Sequence, residues 1–300
     1  MSPAPHRFDK GNLALRVGTA AVFGLLFLTL LYFGESPWAK LTWLGAMALA
    51  LFMGVREMCL IARKIGHRPS ILGGTLVGLA LLLHFYLSGG STLRAADPLP
   101  LWLVLAGGGM LIHFGALLLS KDPLENALSS QAITWLAALY MGLGTGFMTK
   151  LFTVDHSTLS NPGARLVLAL FIIVWFGDTG AYFLGSAFGK HKLAPRVSPK
   201  KSWEGALGNV LGNLGGAFLM RACVCTEWSL VDVIAIGLLL GLAGQLGDLA
   251  ESTWKRSAGV KDSNIGLSIP GHGGMLDRVD SLVFAAPVLY AYVHFVHGLN

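Results

Sequence analysis

The chain of 300 residues is 54% hydrophobic and only 13% charged, and its mean hydropathy is +0.63. Soluble domains carry about 25% charged residues, so this composition excludes an ordinary soluble globular protein and predicts one that lies largely within a membrane. The net charge is +6. In a membrane protein this charge favours basic loops beside anionic lipid headgroups. It does not by itself indicate a nucleic-acid partner, because net positive charge does not identify what a protein binds.

Apolar runs long enough to cross a bilayer recur along the whole chain. A span needs about 20 mostly apolar residues. The candidate spans are Ala14–Phe33, Leu41–Ile61, Ile71–Leu87, Leu99–Leu119, Gln131–Phe152, Arg165–Ala187, Gly205–Cys223, Leu230–Ala250 and Ser281–Gly298. The first run is too long for a signal-peptide core and lacks a clear small-residue cleavage site, so it is expected to be a retained helix. The pattern predicts an all-α, polytopic membrane helix bundle with about nine transmembrane helices.

The predicted bundle divides into two regions. Residues 1–165 contain about five spans and few polar motifs. Residues 166–300 contain the remaining spans and two polar loops, which lie between spans six and seven and between spans eight and nine. The chemistry is therefore expected in the second region.

Basic residues are strongly biased to one side of the predicted membrane. All but five of the 22 Lys and Arg residues fall on the side that holds the N-terminus and both polar loops. The exceptions are Lys40, Arg94, Lys150, Arg165 and Arg221. Basic loops stay in the cytoplasm, so both polar loops are expected to face the cytoplasm and the C-terminus is expected on the other side.

The first polar loop and its flanks contain Asp178, inside an apolar run, and the segment Ser198-Pro-Lys200-Lys201-Ser202-Trp-Glu. An ionisable residue inside a span indicates a functional site by default, although an Asp can also bond a neighbouring helix. Backbone N–H groups at a helix start, together with the two lysines, suit a phosphate. Two alternatives stay open: Ser202 as a simple helix cap, and a solvated basic loop.

The second polar loop has a more specific pattern. Asp248, Ser252 and Lys255 are spaced to share one helix face, and polar groups there need a polar cavity or bound ions. Asp277 and Asp280 lie three residues apart at the start of the last helix, where the positive helix end favours carboxylates.

Cations and a glycine-rich turn accompany these acids. The cations are Lys255, Arg256, Lys261, Arg278 and, when protonated, His272. Carboxylates at two helix ends fit Mg²⁺ shared with substrate phosphates, and the turn 270–274 allows the backbone to approach a phosphate closely. The alternative is a juxtamembrane network of salt bridges.

These residues resemble the signature of the CDP-diacylglycerol synthase family. Its elements here are Ser252, Lys255-Arg256, Lys261-Asp262, Pro270-Gly-His-Gly-Gly274, Leu276-Asp277-Arg278 and Asp280. The runs that begin at Asp178 and Ser198 also look like family motifs, so the resemblance extends roughly from Trp175 to Ser281. So many fixed positions at set spacings make the signal specific, whereas the first 165 residues resemble the family only in having several spans.

The stretch 263–269, seven residues long, is longer than is usual in the family. A longer loop costs little closure entropy, so activity is compatible with it. It can also shift His272 and Asp277, or mark a divergent paralogue with another lipid acceptor.

The resemblance implies a phosphatidate cytidylyltransferase, a nucleotidyltransferase of phospholipid biosynthesis that makes CDP-diacylglycerol and pyrophosphate from CTP and phosphatidic acid. It implies Mg²⁺, or Mn²⁺ in its place, as the cofactor. The metal is then assigned to Asp248 and Asp277, with Asp280 as a third carboxylate. The catalytic residues implied are Asp248, Lys255, Arg256, Asp277 and Arg278. Substrate contacts are expected from Asp178, Ser198, Lys200, Lys201, Ser202, Ser252, Lys261, Asp262, His272, Gly273 and Gly274.

The expected partners are CTP, phosphatidic acid and membrane lipids, with no nucleic acid and with a homodimer left open. The expected location is the inner, or cytoplasmic, membrane, with the active site facing the cytoplasm. Three other functions stay open at this stage. They are an ion or solute transporter built around Asp178 and Asp248, a CTP-dependent enzyme acting on an isoprenoid or ether lipid, and a catalytically silent paralogue.

Overall fold

The computed structural model describes residues 10–88, 107–111, 114–115, 118, 124–154, 160–263 and 273–298. The helices are α1 (Lys10–Tyr32), α2 (Pro37–Arg63), α3 (Ile71–Leu87), α4 (Ala127–Phe152), α5 (Pro162–Phe188), α6 (Trp203–Cys223), α7 (Leu230–Ser257) and α8 (Leu276–His297). A 3₁₀ turn, Leu124–Asn126, precedes α4, and an antiparallel hairpin of β1 (Lys192–Ala194) and β2 (Ser198–Ser202) joins α5 to α6. The predicted helical class is confirmed, and the small hairpin is an addition to it.

Five helices in the described part of the chain are long and apolar enough to cross a membrane: α2, α4, α5, α7 and α8. The protein is therefore a multi-pass membrane protein, while the predicted number of nine spans stays a prediction. Helix α3 has only 17 residues, and α6 is less apolar because it contains several glycines and the buried Asn209 and Asn213. The predicted span Leu99–Leu119 lies mostly outside the described residues.

The two helices next to the second polar loop extend beyond the apolar spans predicted for them, as the helical spacing of Asp248 and Lys255 and the placement of Asp277 at a helix start indicated. Helix α7 continues beyond the expected end at Ala250, and α8 begins before the expected start at Ser281. Polar residues continue both helices because they have partners there, as when Lys255 pairs with Glu251 one turn earlier. Hydropathy alone ends a span where polar residues begin, so it placed the end of α7 too early and the start of α8 too late.

Serine caps explain where four of the labelled helices begin. The hydroxyls of Ser36, Ser70, Ser202 and Ser229 each accept a hydrogen bond from a backbone N–H three residues later, which satisfies a donor that the helix leaves free. Helix α8 differs, because its N-cap residue is Met275 and no side chain at that position caps it.

Glycines allow α5 and α6 to pack backbone against backbone. A Cβ atom at Gly180 would collide with the backbone of Gly208, and one at Gly208 would collide with Gly180. A Cβ at Gly177 would likewise collide with the side-chain amide of Asn213. Small residues permit such close approach between membrane helices, and the pair fixes Asp178, which follows Gly177 on α5.

Helix α4 lies at the centre of the bundle, in contact with α2, α3, α5 and α8. Fully buried side chains from several helices meet around it, among them Leu51, Met141, Leu170 and Leu289. Helix α7 packs between α6 and α8. One end of this α5–α8 assembly therefore brings the hairpin, the end of α7 and the start of α8 together.

Candidate active site

A cavity of about 410 Å³ opens where these elements meet. Its polar lining comes from every element around it: Asp178, Ser186, Lys200, Lys201, Ser202, Asn209, Gln245, Asp248 and Ser281. The two loops predicted to act together therefore face one space, although some 50 residues separate Lys201 from Asp248 in the chain.

An ion pair joins the two loops directly. Lys201 Nζ lies 2.6 Å from Asp248 Oδ2, and the Ser252 hydroxyl donates to Asp248 Oδ1 at 3.3 Å. The side chains of Lys201 and Asp248 are 24% and 37% exposed, so both stay accessible to a ligand in the cavity. Lys200 also lines the cavity and adds a second positive charge.

Three carboxylates cluster beside this pair. Oxygens of Asp248, Glu251 and Asp280 lie within 4.8 Å of one another. Such an oxygen-only set fits a hard divalent cation that is also bound by substrate phosphates. Asp248 and Asp280 were predicted to bind the metal, whereas Glu251 was not. Its position three residues after Asp248 places it on the same helix face, so its spacing could have identified it.

Lys255 links the carboxylate cluster to Asp277, and these residues form a second layer of the site behind the cavity. Its Nζ lies 2.5 Å from Glu251 Oε2 and 2.5 Å from Asp277 Oδ1. Asp277 Oδ2 also accepts a hydrogen bond from the backbone N–H of Ser263 at 3.1 Å, and the Ser263 hydroxyl oxygen lies 2.9 Å from it. Asp277 therefore has protein partners on both oxygens in this structure, and its assignment as a metal ligand stays a prediction.

Several predicted substrate residues have structural partners. Arg256 donates to the carbonyls of Val197 at 3.2 Å and Val260 at 2.9 Å, so it ties the end of α7 to the hairpin. Ser202 caps α6 by accepting from the Gly205 N–H at 3.1 Å, which is the simple-cap alternative. The roles of both residues toward substrate stay predictions.

The other predicted residues lie around the same end of the bundle. Ser198 is in β2, Lys261 and Asp262 are exposed just after α7, and Arg278 is in the first turn of α8. Gly273 adopts a left-handed φ of 84°, which suits glycine. The predicted His272 lies outside the described residues.

The hairpin is held by an acid that the sequence analysis did not single out. Glu204 accepts from the backbone N–H groups of Lys190 and His191, and its Oε1 lies 2.6 Å from His191 Nδ1. The hydrogen bond with the His191 side chain keeps the pKa of Glu204 well below its usual range. These contacts fix the position from which the hairpin presents its lysines.

Side-chain amides line the part of the cavity on α6 and α7. Gln245 Nε2 donates to Asn209 Oδ1 at 3.2 Å, and Asn213 Nδ2 donates to the same oxygen at 3.0 Å. Amides inside apolar helices are a signal that the sequence analysis did not use. They place hydrogen-bonding groups on one side of a cavity whose other side is charged.

Comparison with known proteins identifies the family and relatives of this chain. Residues 14–296 match the cytidylyltransferase family. The chain is 34% identical over 294 residues to a phosphatidate cytidylyltransferase of Brucella suis, covering 94% of this chain and 93% of that protein. It is 31% identical to the phosphatidate cytidylyltransferase of Bacillus subtilis, covering 93% and 97%. A Haemophilus influenzae protein of the same name is 46% identical over 137 residues, covering 44% and 46%.

Proposed function

Because this chain belongs to the cytidylyltransferase family, we propose that it is a phosphatidate cytidylyltransferase that converts CTP and phosphatidic acid into CDP-diacylglycerol and pyrophosphate. The resemblance identified from the sequence motifs is confirmed, and similarity to relatives of that name extends over nearly the whole chain. The structural observation that carries the proposal is the Lys201–Asp248 pair, since it joins a basic hairpin to a carboxylate cluster at one cavity.

The reaction needs positioning and charge neutralisation more than proton transfer. A phosphate oxygen of phosphatidic acid attacks the α-phosphorus of CTP, and the bond to the bridging oxygen of the β-phosphate breaks as pyrophosphate leaves. A phosphate monoester has a second pKa of about 6, so the nucleophile is already an anion near neutral pH. Fixed charges around the phosphates therefore supply most of the catalysis.

Residues that line the cavity and residues beside it are proposed to share this task. Lys200 and Lys201 approach from the hairpin and Arg278 from α8, and they stabilise negative charge on the phosphates. Asp248, Glu251 and Asp280 would hold Mg²⁺, or Mn²⁺ in its place, and Asp277 retains its proposed share in that site. When bound, the metal neutralises phosphate charge and orients the triphosphate. Lipid tails enter sideways between helices from the bilayer.

Activity is expected to require a divalent cation. The ligand set consists of oxygens shared with phosphates, so Mg²⁺ and Mn²⁺ should support turnover and Ca²⁺ should support it poorly. The measurement is CDP-lipid formation after treatment with EDTA, followed by addition of each metal. EDTA already saturated with Mg²⁺ serves as the control. Full activity in excess EDTA contradicts the metal proposal.

We also propose that the cavity faces the cytoplasm, where CTP is found, in the inner membrane of a bacterial cell. The support is the bias of basic residues to that side. Single cysteines at Arg196 and Thr226, both exposed near opposite ends of α6, test it in a chain whose native cysteines are replaced by alanine. In intact cells, Arg196→Cys should react only with permeant reagents and Thr226→Cys also with impermeant ones. The opposite pattern refutes the orientation.

One assay tests the function itself. Purified protein in detergent is incubated with phosphatidic acid, labelled CTP and Mg²⁺, and the products are separated. We expect CDP-diacylglycerol and pyrophosphate in equal amounts. Turnover of an isoprenoid or ether-lipid phosphate with no reaction of phosphatidic acid identifies a different acceptor. Ion flux without CTP turnover identifies a transporter. A homodimer stays a separate prediction, tested by the mass of the detergent-solubilised protein.

A further inference from the structure

A buried carboxylate from the N-terminal half of the chain reaches the candidate site. Glu57 lies on α2 and is only 1% exposed. Its Oε1 accepts from the Met275 N–H at 2.8 Å, and its Oε2 accepts from the Leu276 N–H at 2.8 Å and from the Ser263 hydroxyl at 2.9 Å. More than 200 residues separate Glu57 from each of these partners.

Glu57 supplies the cap that α8 lacks. The N-cap residue of α8 is Met275, whose side chain makes no capping bond, whereas Ser202 and Ser229 cap the two preceding helices from their own positions. A carboxylate near a helix N-terminus is favoured by the partial positive charge there. The start of α8 is therefore fixed by a residue of another helix.

The same carboxylate fixes Asp277 through one intermediate residue. The Ser263 hydroxyl lies 2.9 Å from Glu57 Oε2 and 2.9 Å from Asp277 Oδ2, and the Ser263 N–H donates to Asp277 as well. Asp277 in turn contacts Lys255 at 2.5 Å. Glu57 thus holds both the helix that carries Asp277 and the serine that orients its side chain.

Gly274 leaves the space that this arrangement needs. A Cβ atom at Gly274 would lie 2.9 Å from Glu57 Oε2 and would overlap the Ser263 hydroxyl. Real Cβ atoms do not approach so closely, so any larger residue would displace the carboxylate or the serine. The glycine predicted to contact phosphate therefore has a packing role toward Glu57.

We propose that Glu57 is a positioning residue for cytidylyl transfer, which sets Asp277 and the start of α8 against Lys255 and the carboxylate cluster. This proposal rests on the proposed function of the same cavity. A buried charge is costly unless it is fully paired, and every hydrogen-bond donor that pairs Glu57 belongs to the segments that border the site. An apolar residue would fill the space without providing these bonds.

Glu57→Gln tests the proposal with little change in size. The amide has one acceptor oxygen in place of two, so its NH₂ group must face one of the donors that the carboxylate now accepts from. We expect kcat to fall about a hundredfold, because small misplacements of reacting groups cost about that much, while KM for CTP changes much less. Glu35→Gln is the matched control, since Glu35 also accepts from a backbone N–H, that of Asn161 at 2.5 Å, away from the cavity.

A second variant separates positioning from simple capping. Ser263→Ala removes the hydroxyl that lies between Glu57 and Asp277, while the bonds from the Met275 and Leu276 N–H groups to Glu57 stay in place. We expect kcat to fall in this variant while thermal stability in detergent changes much less than in Glu57→Gln. A normal kcat in Ser263→Ala overturns the proposal and reduces Glu57 to a helix cap. Unchanged kcat in Glu57→Gln also overturns it, whereas an unaltered protein that makes no CDP-diacylglycerol refutes the proposed function instead.

Discussion

Asp248→Asn is expected to abolish turnover while the protein still inserts and folds. Asp248 joins the hairpin to the carboxylate cluster: it pairs with Lys201 at 2.6 Å, accepts from Ser252 and belongs to the cluster with Glu251 and Asp280. Asparagine keeps the size of the side chain and removes its charge. Loss of a metal that stabilises the transition state costs several kcal/mol, so kcat should fall at least about a thousandfold, roughly 4 kcal/mol.

Two comparison variants make this result specific. Glu227→Gln also converts a carboxylate to an amide in an ion pair, with Arg165 at 2.5 Å, but it lies away from the cavity and should leave kcat unchanged. Lys201→Met breaks the pair with Asp248 and leaves the carboxylate cluster intact, so it should impair activity less than Asp248→Asn does. Near-normal turnover of Asp248→Asn, measured as CDP-lipid formed per folded protein, removes Asp248 from the metal site.

Hydropathy predicted where the helices lie, but not where the two helices beside the candidate site begin and end. Every labelled helix overlaps a predicted span, because the bilayer sets a minimum apolar length. The largest errors fall at α7 and α8, whose polar ends stay helical because Lys255 forms ion pairs with Glu251 and Asp277. Partners of this kind come from tertiary structure, and a window of hydropathy contains no information about them.

Local spacing predicted the parts of the site that share one helix face. Asp248, Ser252 and Lys255 follow from their positions on α7, because residues four and seven apart lie on one side of a helix. The family resemblance, rather than residue spacing, indicated that the Lys200–Lys201 segment lies across the site from α7. In the structure, the ion pair between Lys201 and Asp248 joins these two elements.

Glu57 shows why contacts between distant parts of the chain could not be predicted from the sequence. A lone carboxylate in an apolar run is a visible signal, but its partners Ser263, Met275 and Leu276 lie more than 200 residues later. Nothing in the local pattern of α2 indicates that it completes the start of α8. The N-terminal region, expected to contain only membrane spans, therefore contributes a side chain to the candidate site.

Replacement of Lys255 by Met is expected to impair stability and activity together. Lys255 is 9% exposed and lies between Glu251, which is fully buried, and Asp277. Its removal leaves two carboxylates without their shared cation beside Asp248 and Asp280. Removing one partner of a buried ion pair costs about 3–5 kcal/mol, because the remaining charge is desolvated and unpaired. The transition temperature, followed by tryptophan fluorescence in detergent, should fall clearly, and CDP-lipid formation should be lost.

The double variant Lys255→Met/Glu251→Gln tells the two effects apart. Glutamine at 251 removes the buried charge that the single variant leaves unpaired, so much of the lost stability should return. Activity should not return, because Lys255 would still be missing from Asp277 and the carboxylate cluster would have lost a member. A double variant that is stable and active contradicts a functional role for both residues. A single variant as stable as the unaltered protein shows instead that water or a mobile ion already compensates Glu251 and Asp277, which would place this layer of the site in contact with solvent.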